Sequence, residues 1–390
     1  MRDCVYFVDV DTLQNAVRRM TAELAEAMAA MGIRSKFFSP EGSLDELAAD
    51  AQAGGVAAVV SFNIYTVLAP TVVELAQRHR IPLFFYNTDH PHLGYESHLQ
   101  LMEAFPDLLI TLTGEDELTA AQALHPDRPS FFVLRQGATR QDEASWDKRD
   151  IPHLAVGNNP IAGQFGAVTD PEELRRLAHR IPAIGELGQD RLNRMVEIHE
   201  AAPFKPMAEV LDEALAGADP PLDDQLRLLR LFDLYARTHV RARALTELLR
   251  VPALICGHGW DYLRDRNSRA HLLGSVETEK VQAFTRRARF LYNLVPPYYS
   301  CSERVLEAAI LGTPVVTTPS RFFQREFGDS LTYFQAPEEL AALLAHPPSE
   351  NEVREKAVRA RAIALERHTW DQRARAILDL LHIQPPGTAP

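Results

Sequence analysis

The densest run of residues able to do chemistry lies between Tyr299 and Val316, where Ser300, Cys301, Ser302, Glu303, Arg304 and Glu307 precede Gly312-Thr313-Pro314. Ser300 or Ser302 is suited to cap a helix, Gly312 to close it in a left-handed turn, and Pro314 to open the next strand. The N-terminal end of such a helix presents free backbone N–H groups and the positive end of its dipole, which suits a diphosphate. Glu307 sits about one turn deeper, so its carboxylate can accept hydrogen bonds from a ribose whose phosphates rest at the cap. That spacing fits a nucleotide. The same residues also fit a plainer reading, in which Glu303, Arg304 and Glu307 form a solvated helix face.

The elements that would position this segment alternate. Strand-length apolar runs occur at Cys4 to Val10, Ser35 to Phe38, Val56 to Phe62, Pro82 to Tyr86, Leu108 to Leu112 and Ser130 to Leu134, with helical spacing at Thr12 to Met31, Leu68 to His79 and Glu115 to Leu124. Strands alternating with helices of this length predict a parallel sheet covered on both faces. Thr139 to Asp150 is polar and without period, which places a domain boundary there. A second sheet restarts at His153 to Val156 and runs into Gly157-Asn158-Asn159-Pro160, with further strands at Ala253 to Cys256, Phe290 to Leu294 and Pro314 to Thr318. Between them, about 170–250 is a helical elaboration in which Leu226, Leu229, Leu231, Leu234 and Tyr235 interleave with arginines. The expected fold class is therefore α/β, with two Rossmann-like doubly wound parallel-sheet domains, 1–150 and 151–380, facing a cleft, and a loose tail at 381–390. Ligands of such sheets sit beyond the carboxyl ends of the strands.

Composition narrows the class. The 390 residues are 46% hydrophobic and 24% charged, enough apolar material for two cores. A formal net charge of -12 argues against a nucleic-acid or anionic-membrane partner, because counterion release needs clustered Lys and Arg. The cysteines, Cys4, Cys256 and Cys301, are too few and scattered for a disulfide framework or a thiolate metal cage. Met1-Arg2-Asp3-Cys4 leads straight into a short apolar run ending at Asp9 and Asp11, so neither a signal peptide nor an integral membrane segment is expected, and a cytoplasmic location is.

The run Ser302-Glu303-Arg304 through Glu307-Ala308-Ala309 and Gly312-Thr313-Pro314-Val315-Val316 resembles the donor-site motif of GT-B glycosyltransferases, in particular the CgeB-like (spore maturation protein-like) group. Leu254 to Trp260, Leu272 to Val276 and Asn293-Leu294 fall in the order that family shows before its donor helix, and Arg367-His368-Thr369-Trp370 with Arg373 resembles its closing helix. The resemblance covers about 151–380. It implies that Glu307 binds the donor ribose, that Ser302, Glu303 and Arg304 lie at the phosphates, and that Gly157, Asn158, Gly274 and Asn293 belong to the donor site. Gly257 and Gly259 would admit the donor close to the backbone, with His258 or Arg304 as the cation facing the leaving diphosphate; both glycines also fit an ordinary strand-to-helix turn. Cys301-Ser302 stands where the general GT-B pattern is Gly-rich. The implied reaction moves a hexose or related sugar from a nucleotide diphosphate sugar to a hydroxyl of a sugar, peptide or protein, with no tightly bound cofactor and no metal. A nucleotide-sugar epimerase of the same fold, or a non-catalytic nucleotide-binding or partner protein, remains an alternative.

In the amino half only Phe85 to Pro91 resembles the family, which has an acidic residue before proline after a strand. Asp89 first, and His90 second, could take the proton from an acceptor hydroxyl; both are equally ordinary turn formers. With His92 they could instead form a metal site, but three neighbours on one loop rarely all point inward. Asp9-Val10-Asp11 has the Asp-x-Asp spacing of a metal motif, yet it closes the first strand instead of following a nucleotide-binding unit. A phospho-acceptor receiver domain is excluded because the third strand ends Ser61-Phe62-Asn63, with no aspartate to phosphorylate. The loop Asp11 to Asn15 is expected to line the acceptor side.

Overall fold

The computed structural model describes residues 4–9, 15–39, 42–63, 70–88, 108–124, 130–162, 168–177, 188–218 and 220–384. They divide into two compact units, the first made of Met1–Thr139 with Arg367–Pro390 and the second of Arg140–Glu366.

The first unit is a six-stranded sheet of β1 (Cys4–Val8), β2 (Arg34–Phe38), β3 (Val56–Phe62), β4 (Leu83–Tyr86), β5 (Leu109–Leu112) and β6 (Phe131–Val133), in the order β2-β1-β3-β4-β5-β6. Every pairing is parallel. Side chains along β1 alternate between two core layers. Cys4, Tyr6 and Val8 pack with Leu47 and Val72, from α2 (Asp45–Gln52) and α3 (Pro70–His79); Val5 and Phe7 pack with Leu24 and Met28 of α1 (Ala16–Ala30). All seven residues of β3 are buried, as a strand covered on both faces requires. Helix α4 (Glu115–Leu124) connects β5 to β6.

The second unit begins with β7 (Leu154–Val156) and then inserts α5 (Pro171–Leu177), α6 (Gly188–Ala201), α7 (Met207–Ala214) and the 27-residue α8 (Leu222–Leu248). These helices share a core of Leu192, Met195, Val210, Leu228, Phe232 and Tyr235, so the helical elaboration has an interior of its own. The chain continues through β8 (Leu254–Cys256), β9 (His271–Leu272), α9 (Thr278–Arg287), β10 (Leu291–Asn293), α10 (Glu303–Ile310), β11 (Val315–Thr317), α11 (Arg321–Phe327), β12 (Thr332–Tyr333), α12 (Pro337–Ala345) and α13 (Glu350–Arg367). The parallel sheet runs β12-β11-β10-β7-β8-β9. Strand order reverses between β7 and β10, and a doubly wound sheet opens a crevice at that point, beyond the carboxyl ends of the two strands.

The domain limits differ from 1–150 and 151–380 at both ends. Residues 140–150 belong with the second unit, because Ala144 donates its N–H to Leu311 O at 3.0 Å and Arg149 donates to the carbonyls of Ala288, Leu311 and Gly312 at 2.8, 3.2 and 2.9 Å. Arg149 thereby closes the C-terminal end of α10, and it lies over the Trp146 ring at 4.9 Å. Among the described residues no carboxylate bonds it, and burial pushes its pKa down to about 10. At the other end the chain returns to the first unit as α14 (Trp370–Leu380). Ala138 donates to His368 O at 2.9 Å and accepts from Trp370 N–H at 3.2 Å. Trp370 is 2% exposed, lies 6.0 Å from the ring centroids of Phe62 and Tyr86, and donates its indole N–H to Glu23 at 2.7 Å. A Cβ on Gly137 would come within 2.8 Å of that indole, so only glycine permits the approach. Arg373 donates to Arg135 O and Gln136 O. The Arg367 to Arg373 motif is therefore a structural clasp of the first unit.

Candidate functional site

The segments that follow β7 and β10 are bridged by Arg241 of α8. Its Nη1–H donates to Asn158 O at 2.7 Å and its Nε–H to Leu294 O at 3.1 Å, so one guanidinium ties together the two loops that leave the switch point. Gly157 lies against the same group: a Cβ there would sit 3.4 Å from the guanidinium carbon. Among the described residues no carboxylate pairs with Arg241. Burial, and then the charges of Arg237 and Arg304, push its pKa down to about 9. A cation held among neutral carbonyls, beside two more cations, favours an anionic ligand.

Helix α10 starts beyond β10. Ser302 is its N-cap, with extended backbone (φ -141°, ψ 126°), but its side chain makes no capping hydrogen bond. The hydroxyl is buried, the residue being 4% exposed, and it has no partner among the described residues. A buried hydroxyl left open costs about 1–3 kcal/mol unless something bonds it, and here it sits at the N-terminal end of a helix, the end at which backbone N–H groups are presented; of these, Val305 N–H is taken by Ser302 O at 3.1 Å. Arg304 lies 3.5 Å from Glu303, both partly exposed. Glu307 is half-buried between the fully buried Leu306 and Ala308, so it belongs neither to the core nor to a fully solvated face. Gly312 closes the helix at φ 66°, as the left-handed turn requires.

The remaining candidates divide into loop architecture and open surface. A Cβ on Gly257 would meet Gly157 O at 2.1 Å, and one on Gly259 would meet Ala162 Cβ at 2.7 Å. The loop after β7 already occupies the space beside them, so these glycines serve the packing of one loop on another. His258 donates its N–H to Asn158 Oδ1 at 3.2 Å, and its Nδ1 lies 3.2 Å from Ser275 Oγ. Trp260 donates its indole N–H to Gly157 O at 2.7 Å. Gly274, at φ 66°, has open space where a Cβ would lie. Asn293, the last residue of β10, is 2% exposed and donates to Thr317 Oγ1 at 2.9 Å.

Asp89 and His90 lie outside the described residues, as do Asp11 and His92. Asp9 is engaged by Arg18 at 2.8 Å. The described carboxyl edge of the first sheet is a network of amides and hydroxyls. Asn63, in the left-handed region at φ 46°, donates to Thr88 Oγ1 at 2.8 Å and accepts from Thr88 N–H at 2.7 Å; Gln136 donates to Thr88 O at 2.6 Å. Glu117 accepts from the N–H groups of Thr113 and Gly114 at 2.8 and 3.0 Å, closing the start of α4, and burial pushes its pKa up to about 7.

Residues 237–379 match the glycosyl transferase-like family, a segment that begins at Arg237 and contains Arg241 and the Ser302–Glu307 run. No curated protein matches the chain. In three dimensions the chain is similar to Anabaena HepE solved with UDP and glucose, at 15% identity over 97% of this chain and 99% of that one, with a TM-score of 0.53. It is similar to an alpha-glucosyltransferase solved with UDP and a 13-mer DNA containing a HMU base, at 11% identity over 97% and 98%, with a TM-score of 0.54. Sucrose-phosphate synthase of Thermosynechococcus elongatus is similar at 13% identity over 98% of each chain, with a TM-score of 0.51.

The fold is GT-B. Within this GT-B chain, Arg241 and Arg237 are candidate residues that the sequence reading missed. The only signal for them was the interleaving of arginine with leucine along α8, which equally describes a surface helix. Among the described residues no helix is long and apolar enough to cross a membrane.

Proposed function

We propose that the chain is a CgeB-like glycosyltransferase of the cytoplasm that takes a hexose or related sugar from a nucleoside diphosphate and passes it to a hydroxyl of a sugar, peptide or protein. The observation that carries this reading is the Arg241 guanidinium at the β7/β10 switch point, bonded to two carbonyls, in the same unit as a helix N-terminus whose capping hydroxyl has no partner among the described residues. The diphosphate rests against the first turn of α10 and Ser302, and Glu307 takes the ribose. Loop Leu272 to Ser275 faces the base. As the glycosidic bond breaks, charge grows on the leaving diphosphate, and the helix end together with Arg241 and Arg304 stabilises it. A fixed set of donors can supply that stabilisation without a metal ion. UDP is the first nucleotide to test, because two of the similar structures contain it. The first unit takes the acceptor, with Asp89, then His90, as the group that removes its proton.

The test is calorimetric titration of the intact protein with UDP, GDP, ADP and dTDP, followed by assay of the matching donor sugars with and without acceptors. Saturable binding of one diphosphate, weakened by Glu307→Gln, is expected. Binding of none sinks the proposal, and conversion of the sugar without an acceptor marks an epimerase.

A further inference from the structure

Asp233 lies on α8 among leucines, 0% exposed, where a carboxylate is tolerated only when paired and bonded. One of its oxygens is hydrogen-bonded and the other is in an ion pair. Oδ1 accepts from the Tyr298 hydroxyl at 3.0 Å, and Oδ2 lies 2.6 Å from Arg237 Nη2. These two partners meet the same stretch of chain, the turn that leads from β10 into α10. Tyr298 belongs to that turn, and its ring is wedged between His199 and Phe232 of the inserted helices, with centroids at 5.4 and 6.2 Å. Arg237 lies over the ring of the next residue, Tyr299, at 5.9 Å. One buried carboxylate therefore fixes the loop to the helical insertion and an arginine to the loop.

We propose that Asp233 is a positioning residue for the donor diphosphate, holding Arg237 beside Arg241 and Arg304 so that a cationic surface stands ready at the turn before α10; this rests on the reading of the second unit as the donor unit. Like charges repel, and both Arg237 and Arg304 act on Arg241. Arg237 is a long side chain with 12% of its surface exposed, and the repulsion works against its staying beside Arg241. Asp233 opposes it before any ligand arrives, so the diphosphate meets a preformed site and does not have to order one. The insertion α5–α8, which a doubly wound sheet does not need, acquires a role: it carries the carboxylate, the arginine it holds and the rings that clamp Tyr298.

The test uses the intact protein and whichever of UDP, GDP, ADP or dTDP binds most tightly. In Asp233→Asn the amide oxygen still accepts from Tyr298, while the charge that holds Arg237 is gone. Affinity for the diphosphate is expected to fall about tenfold or more, the loss typical of one charge-assisted hydrogen bond. Affinity for the parent nucleoside, read by ligand-detected NMR, is expected to stay within about threefold, since the nucleoside has no phosphate to lose. The double variant Asp233→Asn/Arg237→Gln removes both charges and leaves neither buried alone, which keeps the experiment open if the single variant does not fold; it should show the same selective loss. Equal affinity to the parent, or equal loss for nucleoside and diphosphate, would show that Asp233 only braces the fold. Failure of the parent protein to bind any of the four diphosphates overturns the donor reading itself, and the inference with it.

Discussion

Replacing Arg241 by methionine separates its two duties. In the fold, the change removes the donors to Asn158 O and Leu294 O, at 2.7 and 3.1 Å. Each carbonyl left open costs about 1–3 kcal/mol if it finds no water. Against this, the change removes a cation whose pKa burial has pushed from 12.5 to about 9, a penalty of a few kcal/mol on the charged form. The terms oppose, so fold stability should change by less than about 2 kcal/mol. Donor binding has no such offset. Losing a charge-assisted hydrogen bond to phosphate costs about 1.5–3 kcal/mol, or roughly 10- to 150-fold in Kd. Nucleotide at a hundred times the parent Kd raises parental stability by about 2.7 kcal/mol; in a variant that binds a hundredfold more weakly the same concentration adds only about 0.4 kcal/mol. Titration calorimetry and thermal melts, each with and without nucleotide, give both quantities, and Arg241→Lys should recover part of the affinity. A methionine variant that binds within twofold of the parent refutes the assignment. So does one whose weaker binding is fully explained by a collapse in melting temperature.

Other parts of the structure respond in distinct ways. Trp370→Ala empties a site that is 2% exposed and removes the indole donor to Glu23, so chemical denaturation should show the first unit losing about 3–5 kcal/mol. Arg149→Met leaves the carbonyls of Ala288 and Gly312 without this donor, while Leu311 O keeps that of Ala144 N–H; hydrogen exchange should report earlier opening of α10, with the second unit weakened by about 2–4 kcal/mol. Burial, with a smaller contribution from His239, holds His199 neutral, with its pKa pushed down from 6.5 to about 4. The unfolded chain therefore binds a proton that the folded chain refuses, and stability falls as pH drops from 6.5 toward 4, by at most about 3 kcal/mol for this residue. Glu117 and His368 titrate over an overlapping range, so the readout is the difference in denaturation midpoint between His199→Gln and the parent at each pH. That difference should shift in favour of the variant as pH falls.

The strands of the first sheet were legible because buried parallel strands must be short, continuous apolar runs: Val56 to Phe62 was read with the limits the structure shows. Shorter elements escaped. Helix α2 has only Leu47 and Ala51 buried, and β12 is two residues long, too little to establish a period. At the site, the Ser302 cap and the Gly312 stop were read from local backbone chemistry, which operates within a single helix. Gly257, Gly259 and Asn293 were expected at the donor; the structure shows the neighbours they have in adjacent loops and strands, which no local pattern announced.

What the amino-acid sequence determined by itself was whatever depends on near neighbours: the βα alternation, the break before the second sheet, the capped helix and the acid placed one turn inside it. Only the tertiary structure decided which strand order puts β7 beside β10, and hence where the crevice opens. It alone brought Arg241 and Arg237 from the middle of a long helix to that opening, attached 140–150 to the far end of α10, and returned Trp370 to the first unit. The physical reason is the same in each case. A buried polar or aromatic side chain is placed by the partners that satisfy it, and these lie 53 or more positions away for Arg241, 139 for the Arg149 bond to Ala288 O and 347 for the Trp370 bond to Glu23, where no local pattern in the chain can point to them.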